Sequence, residues 1–293
     1  MTATPTPAQS NKKRPSRRTV ILCAVGLAVL IALIAWIAWG NTALEVNIYT
    51  IKSERIPAAF DGFRIAQVSD LHNAELGEGN HRLLTALRDA HPDIIVITGD
   101  MIDSRHTDVE IALDFAQAAV TIAPCYYVTG NHEARTGTYS ALKKGLLEAG
   151  VTVLEDARAE LDRNGDTITL IGVNDPSRSA GDEAESMERT LSRLTEADGS
   201  YTVLLSHRPE LMDVYADCGI DLVFSGHAHG GQVRLPLIGG LAAPNQGFLP
   251  RYDGGIYRKA DTHLAVSRGV GNSIIPVRVG NRPEIVVVEL MAP

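Results

Sequence analysis

The feature that most constrains the fold of this chain is a set of apolar runs of strand length, each ending at polar residues that can bind a metal. In residues 221–231, the apolar residues 222–224 stop at Gly226 and lead directly into the sequence G-H-x-H. Such a run is typical of a short buried strand. Glycines on both sides of the two histidines allow the backbone to approach a ligand closely. Taken alone, this tetrapeptide is as compatible with a polar turn as with a binding site.

Further apolar runs upstream end in the same way. In chain order, the runs 63–69, 94–98, 125–129 and 203–206 lead into D-x-H (Asp70, His72), G-D-x-x-D (Asp100, Asp103), G-N-H-E (Asn131, His132, Glu133) and a single histidine (His207), before G-H-x-H supplies His227 and His229. Open α/β sheets bind ligands in a crevice beyond the carboxyl ends of their strands. We therefore expect these polar side chains to meet in one site.

In this order, the blocks resemble the calcineurin-like metallophosphoesterase family from about Arg64 to Arg282. The flanks S-H-R-P at 206–209, H-G-G-Q-V at 229–233 and S-R-G at 267–269 resemble its branch of membrane-anchored bacterial phosphodiesterases. Glu133 departs from the pattern, because the family often has Asp there. Glu133 is the neighbour of the motif histidine His132 and not a ligand itself. The departure therefore leaves the metal ligands unchanged and concerns only the residues that contact them. The resemblance implies an α/β/β/α sandwich of two mixed sheets flanked by helices.

The resemblance also implies a pair of divalent metal ions. By position, it assigns Asp70, His72 and His229 to one metal, Asn131, His207 and His227 to the other, and Asp100 to both. Oxygen and imidazole ligands suit manganese, iron and zinc alike, so the metal pair stays open. His132 is left as the general acid that protonates the leaving oxygen, with Asp103 orienting its imidazole. The alternative for Asp103 is an ordinary turn or helix-capping carboxylate.

The implied reaction is phosphoester hydrolysis by in-line attack of a hydroxide that bridges two metals. We expect diesters to be preferred over monoesters, because no cluster of cationic residues awaits a dianionic group. Arg268 either binds a phosphate or forms a salt bridge, and Asn174 and Asp175 either border the cleft or take part in such a bridge. The alternative functions are a nuclease and a non-catalytic envelope-binding protein that kept the fold.

The amino-terminal part of the chain predicts a membrane anchor. Residues 19–40 carry no charge and form a helix of about 33 Å, enough to cross a bilayer. The five basic residues before this segment are Lys12, Lys13, Arg14, Arg17 and Arg18. By the positive-inside rule, the amino terminus is cytoplasmic and the catalytic domain lies outside the cell membrane. A cleaved signal peptide and a twin-arginine export signal at Ser16-Arg17-Arg18 are the alternatives.

The predicted domains are a disordered basic segment (1–18), the anchor (19–40), a linker with an edge strand (41–62) and the metallophosphoesterase domain (63–293). Helical spacing predicts helices over 80–90, 109–120, 139–149 and 182–197. Asn164-Gly165 predicts a β-hairpin turn.

Charge limits the partners of the domain. Beyond residue 40 the chain has 22 basic against 35 acidic residues, a net charge of about −13. A nucleic-acid partner is therefore disfavoured. The expected partners are the membrane, through the amino-terminal helix, and a phosphoester substrate, which the anchor suggests is membrane- or envelope-linked.

Overall fold

A computed structural model describes residues 16–178, 181–195, 199–272 and 276–293. Most of the predicted disordered segment 1–18 therefore lies outside the described residues. The chain divides into two compact units, one ending at Trp39 and the other running from Gly40 to Pro293. Within the second unit, five of the described strands are each followed by a helix before the next strand: Arg64–Val68, Ile94–Thr98, Cys125–Val128, Asp166–Gly172 and Tyr201–Leu205.

The first unit is dominated by a single apolar helix, α1 (Arg17–Thr42), in which no residue is buried. Of the helices in the described residues, it alone is long and apolar enough to cross a membrane. A signal sequence meets the same criteria, so length and composition leave both possibilities.

The strands of the second unit form two six-stranded sheets and two short hairpins. In chain order the strands are β1 (Glu45–Lys52), β2 (Arg64–Val68), β3 (Ile94–Thr98), β4 (Cys125–Val128), β5 (Thr152–Val153), β6 (Ala157–Arg163), β7 (Asp166–Gly172), β8 (Tyr201–Leu205), β9 (Leu222–Ser225), β10 (Arg234–Leu235), β11 (Gly239–Gly240), β12 (Ala242–Ala243), β13 (Gly247–Phe248), β14 (Gly255–Lys259), β15 (Thr262–Val266) and β16 (Glu284–Met291). The remaining helices are α2 (His81–Asp89), α3 (Val109–Ala119), α4 (Asn131–Arg135), α5 (Tyr139–Glu148), α6 (Glu183–Leu194) and α7 (Met212–Asp217).

Both large sheets are mixed. Sheet A has the order β1-β16-β2-β3-β4-β5, and only the β16–β2 pair is antiparallel. Sheet B has the order β14-β15-β9-β8-β7-β6, with antiparallel pairs at its two edges and parallel pairs between them. At one edge of sheet B, Asn164 and Gly165 have φ values of 51° and 93° and form the predicted turn between β6 and β7.

Alternating side chains of the strands produce the layers. On β3, Ile94 and Val96 face the cluster between the sheets, while Ile95 and Ile97 face the cluster beneath α2, α3 and α5. On β8, Val203 and Leu205 share the inter-sheet cluster, and Leu204 faces α6 and α7. Strands buried on both faces read as continuous apolar runs, as β3 does. The predicted α/β/β/α sandwich is therefore confirmed.

Candidate metal centre

The polar residues that follow the central strands meet at one end of the sandwich. Sheet A contributes side chains that follow β2, β3 and β4, and sheet B contributes side chains that follow β8 and β9. The central strands of each sheet are parallel, so their carboxyl ends lie at the same edge. All the predicted ligands are buried there: Asp70, His72, Asp100, Asn131, His207, His227 and His229.

One group of donor atoms comprises Asp70, His72, Asp100 and His229, whose candidate ligand atoms lie within 4.8 Å of one another. His229 Nε2 is 3.2 Å from Asp70 Oδ1 and 3.2 Å from His72 Nε2. His72 Nε2 is also 3.6 Å from Asp100 Oδ2. These side chains come from both sheets, so the group exists only in the folded protein.

A second group comprises Asp100, His207 and His227. His207 Nε2 lies 3.2 Å from Asp100 Oδ2 and 3.2 Å from Asn131 Oδ1. The ring centroids of His207 and His227 are 4.9 Å apart. Asp100 belongs to both groups and connects them through its carboxylate.

The hydrogen bonds of His207 show that this arrangement fits a cation. His207 Nδ1 donates to the carbonyl of Thr98 at 2.7 Å, which leaves Nε2 facing the oxygens of Asp100 and Asn131. A neutral His207 would then place three acceptor atoms together without a proton between them. Ligands bound to one metal at 2.0–2.2 Å lie about 3.0–3.4 Å apart, which matches the observed spacing.

Burial and the neighbouring charges shift the pKa values of the histidines in the site. Burial disfavours a charged His207, but Asp100 outweighs burial and raises the pKa of His207 to about 10. Burial lowers the pKa of His227 and of His229 to about 3, with the neighbouring His207 and His72 respectively acting in the same direction. Neutral imidazole is the form that binds metals, so His227 and His229 are ready for binding at neutral pH.

Several of the predicted ligands lie at residues with a left-handed backbone conformation. Asp70, Asp100 and His227 have φ values of 52°, 52° and 66°, which non-glycine residues seldom adopt. Such strain concentrates at functional sites. Gly226 is required beside them, because a Cβ there would overlap the Ser69 hydroxyl and the Asp70 carboxylate. The glycine before His227 therefore admits the close approach of sheets A and B.

The sequence profile of the calcineurin-like phosphoesterase family matches residues 63–231. This chain belongs to that family. It is 34% identical over 292 residues to the uncharacterized metallophosphoesterase YkuE of Bacillus subtilis strain 168, covering 95% of this chain and 98% of that protein. It is 28% identical over 239 residues to the phosphodiesterase YaeI of Escherichia coli strain K12, covering 78% and 82%.

Among solved structures, TT1561 of Thermus thermophilus shares the fold, with a TM-score of 0.50 and 12% identity, covering 71% of this chain and 90% of that one. The family makes the protein a metal-dependent phosphoesterase, and the buried histidine and aspartate groups suit a divalent metal pair.

In this phosphoesterase, His132 lies at the start of α4, beside the first group. Its ring centroid is 4.5 Å from that of His72, and its Nδ1 accepts a hydrogen bond from the Ser104 amide at 3.0 Å. A neutral His132 therefore carries its proton on Nε2. Burial lowers the pKa of His132 although Asp100 acts in the opposite direction.

Asp103 lies farther from His132 than a hydrogen bond allows. The distance from Asp103 Oδ2 to His132 Nδ1 is 4.0 Å, and to His72 Nδ1 it is 3.9 Å. Asp103 Oδ1 instead accepts from the Arg105 amide at 2.7 Å, which closes the turn after β3. The structure thus gives Asp103 the turn contact that was its alternative role, and gives the contact with His132 Nδ1 to a backbone amide that the sequence did not point to.

Glu133 holds the loop of the bridging residue in place. Its buried carboxylate accepts from the amides of Asp100 at 2.9 Å, Gly130 at 2.7 Å and Ile102 at 3.3 Å. Burial, together with Asp100, raises the pKa of Glu133 to about 7. The sequence marked Glu133 only by its position next to His132, so this supporting role became visible with the fold.

The remaining candidates form salt bridges or lie outside the metal groups. Arg268 donates to Glu284 at 2.7 Å and pairs with Glu45, and the buried Asp175 accepts from Arg208 at 2.6 and 3.0 Å. Both therefore adopt the salt-bridge alternative. The histidines away from the motifs are exposed or half-buried: His81, His91, His106 and His263.

Proposed function

We propose that the protein is a membrane-anchored phosphodiesterase with a dinuclear metal centre. The observation that carries this proposal is the convergence of buried Asp, Asn and His side chains from two sheets, with Asp100 shared between two groups of donors. Such a shared carboxylate is suited to hold two cations at the separation of about 3.5–4 Å found in two-metal phosphoesterases.

The proposed ligands follow from these groups. Asp70, His72 and His229 would hold one metal, Asn131, His207 and His227 would hold the other, and Asp100 would be shared between them. When bound, the metal pair neutralises the anionic phosphate and supplies the attacking hydroxide at neutral pH. Metal analysis of the purified protein will show whether the ions are manganese, iron or zinc.

His132 acts as the general acid in this proposal. The Ser104 amide donates to Nδ1, so a neutral His132 carries its proton on Nε2, the atom that would protonate the leaving oxygen of the substrate. Asp103 supports this geometry indirectly, because its carboxylate closes the turn that presents the Ser104 amide. If Asp103 has this supporting role, the Asp103→Ala substitution will change the pH profile of the reaction.

The preference for diesters rests on the cations around the site. Arg208 is paired with Asp175, Arg268 with Glu284, and the buried Arg278 donates to backbone carbonyls of Arg268 and Gly271. Of the arginines described near the centre, these are therefore committed to other partners. These arginines would therefore add no compensation for the second negative charge of a monoester dianion, which a diester lacks. The relative named as a phosphodiesterase supports the same preference.

We further propose the anchor at residues 19–40, with the amino terminus inside and the catalytic domain, residues 63–293, outside. The basic cluster before the apolar segment supports this orientation. Residues 41–62 act as a linker that includes β1, which pairs with β16 along its length. Protease treatment of intact cells should digest the domain. Digestion that requires lysis would contradict the orientation.

The function itself is tested by reconstituting the purified full-length protein with manganese, iron or zinc separately. We expect turnover of bis(4-nitrophenyl) phosphate to exceed that of 4-nitrophenyl phosphate with the same metal. A larger kcat/KM for the monoester would contradict the diester preference, and failure to bind any of the metals would contradict the metal centre.

A further inference from the structure

The two short hairpins after the G-H-x-H block expose large apolar side chains. We call residues 234–251 the hairpin pair. Its most exposed side chains are Leu237 at 109%, Phe248 at 89%, Leu249 at 64% and Ile238 at 60%. Single exposed apolar residues are ordinary, but several in one place mark an interaction surface.

The hairpins lie side by side because a backbone ladder joins them. The Leu241 amide donates to Val233 O, and the Leu249 amide donates to Leu241 O, each at 2.9 Å. Within each hairpin, only two residue pairs are in register. This ladder is the root of the pair, and two residues beyond it Ala243 packs into the cluster beneath α6 and α7. The four exposed apolar residues, which we call the tips, face solvent: Leu237 and Ile238 lie in the turn between β10 and β11, Phe248 ends β13, and Leu249 follows it.

The root of the hairpin pair lies next to Asn41, the first residue after the proposed anchor. The Asn41 side chain bonds to the backbone of Arg278 in both directions, at 2.8 and 2.9 Å. The next residue, Val279, pairs with Val233 and accepts from the Arg234 amide at 2.9 Å. Only the backbone of residues 278 and 279 therefore separates Asn41 from the start of the hairpin pair at Arg234.

Because the hairpin pair begins close to the end of the proposed anchor, its tips can reach the bilayer. If the anchor ends at residue 40, Asn41 lies at the bilayer surface. Leu237 is three residues beyond Arg234, a reach of about 10 Å at 3.3 Å per residue. Tips at that distance can enter the boundary between headgroups and acyl chains, which extends about 5–10 Å into a leaflet.

The charge of the segment favours a lipid surface over a protein with a basic face. Residues 232–251 contain two arginines and neither Asp nor Glu, within a domain of about −13 overall. Arg234 is paired with Asp253 at 3.0 Å, so Arg251 is the exposed positive charge of the segment. Arg251 is exposed beside the aromatic ring of Tyr252. Apolar tips followed by the exposed Arg251 match an anionic bilayer, where a basic residue adds attraction.

The hairpin pair also reaches the metal centre. Asn245 Oδ1 lies 3.4 Å from His227 Nε2, and Arg234 donates to Gly230 O at 3.1 Å, one residue after His229. Asn245 is three residues before Phe248, so a bilayer that takes up Phe248 would lie close to the ligands of the site.

We propose that the hairpin pair is a second membrane contact, which docks the domain on the lipid surface and presents lipid phosphodiester headgroups to the metal centre. Docking depends on the anchor assignment, and the choice of substrate rests on the proposed function. The two parts need separate experiments, so that failure of one does not obscure the other.

Docking is tested by tryptophan fluorescence of the full chain in vesicles of phosphatidylcholine and phosphatidylglycerol. Both natural tryptophans, Trp36 and Trp39, lie in α1, so Trp36→Phe with Trp39→Phe gives a silent background. Phe248→Trp is then compared with Leu147→Trp, an exposed position in the helical layer of sheet A.

We expect lipids brominated in the upper acyl chain to quench the Phe248→Trp protein and to leave the Leu147→Trp protein unquenched. Equal quenching of the two proteins would overturn the docking surface. Shielding of the Phe248→Trp protein from aqueous iodide in native membranes, but not in pure lipid vesicles, would identify a protein partner and overturn the lipid proposal.

Substrate presentation is tested with the Leu237→Ser/Phe248→Ser protein, using Leu147→Ser as control. We expect hydrolysis of vesicle phosphatidylglycerol to fall about three- to tenfold while turnover of bis(4-nitrophenyl) phosphate stays unchanged. Equal rates on phosphatidylglycerol would overturn headgroup presentation. Absence of soluble-diester turnover in the parent protein would instead overturn the proposed function and leave the quenching result standing.

Discussion

The metal centre and the hairpin pair are consecutive in the chain, yet they treat side chains in opposite ways. His229 is 5% exposed and sits among buried carboxylates, whereas Leu237, only eight positions later, is fully exposed. One region buries groups that prefer water, and the other exposes groups that avoid it. Both arrangements cost free energy when the protein is without a bound partner.

The comparison shows how the two costs are relieved. In the metal centre, protein atoms supply part of the compensation, since the Thr98 carbonyl and the Glu133 carboxylate fix His207 and the Asp100 loop. A cation completes it. In the hairpin pair, the protein packs Ala243 and leaves the tips exposed, and we propose that a lipid surface covers them. We therefore expect substitutions in the first region to affect chemistry and stability. Substitutions at the tips should affect membrane contact and the hydrolysis of membrane substrates, with little effect on stability.

Replacing the bridging carboxylate should have the largest effect. Asp100→Asn removes the charge shared by both groups of ligands, so turnover should fall by more than the about 10–100-fold lost with an outer partner of a metal ligand. Metal content, measured by mass spectrometry, should fall as well. Asp114→Asn on the exposed face of α3 is the control. Near-normal activity with two bound metals would refute the assignment of Asp100.

Removing the general acid should have the second largest effect. His132→Ala is expected to keep its metals and to lose about 10²–10⁴ in rate on esters with poor leaving groups. Activated aryl esters should lose less, because their leaving groups need no proton. His106→Ala, at an exposed position, is the control. Because His132 also lies near His72 and Asp103, loss of metal would show instead that it is a ligand.

Breaking the buried ion pair behind His207 should affect stability. Asp175→Asn removes the bidentate carboxylate partner of the buried Arg208 and leaves it Glu210 and Glu183, so it should cost up to about 3–5 kcal/mol of unfolding free energy. Urea unfolding of the metal-loaded protein measures this loss at neutral pH. The Asp114→Asn protein should unfold like the parent.

The same ion pair predicts a pH dependence. Burial would raise the pKa of Asp175, but Arg208 outweighs burial and lowers it. A carboxylate with a lowered folded pKa stabilises the protein above its unfolded pKa of about 3.8, and this contribution is lost as the pH falls through the folded value. The loss of stability on acidification should therefore be smaller in Asp175→Asn. An unchanged acid slope would contradict this.

Substitution of a hairpin tip should have the smallest effect. Phe248→Ser, at 89% exposure, should change the unfolding free energy by less than about 0.5 kcal/mol in detergent solution. Leu142→Ser in the core of α5 is the contrasting variant, with a large destabilisation. A cost above about 1 kcal/mol at Phe248 would show that its side chain packs within the protein.

Much of this protein could be predicted from sequence because its signals are local. The apolar runs before Asp70, Asp100 and His227 correspond to β2, β3 and β9, and the Asn164-Gly165 turn lies where expected. The glycines next to the candidate ligands are also visible in the sequence. These features depend on a few adjacent residues, so the sequence alone determined the strands and the candidate ligands that follow them.

Only the tertiary structure decided which distant groups meet. Arg268 lies beside Glu45, and the partner of His132 Nδ1 is the amide of Ser104 rather than Asp103. Likewise, β1 pairs in parallel with β16 from the far end of the chain. Such contacts depend on sheet order and on the path of strained turns, and neither is encoded in the periodicity of neighbouring residues. The sequence therefore determined the residue types available for a metal centre, and the packing of two sheets decided their geometry.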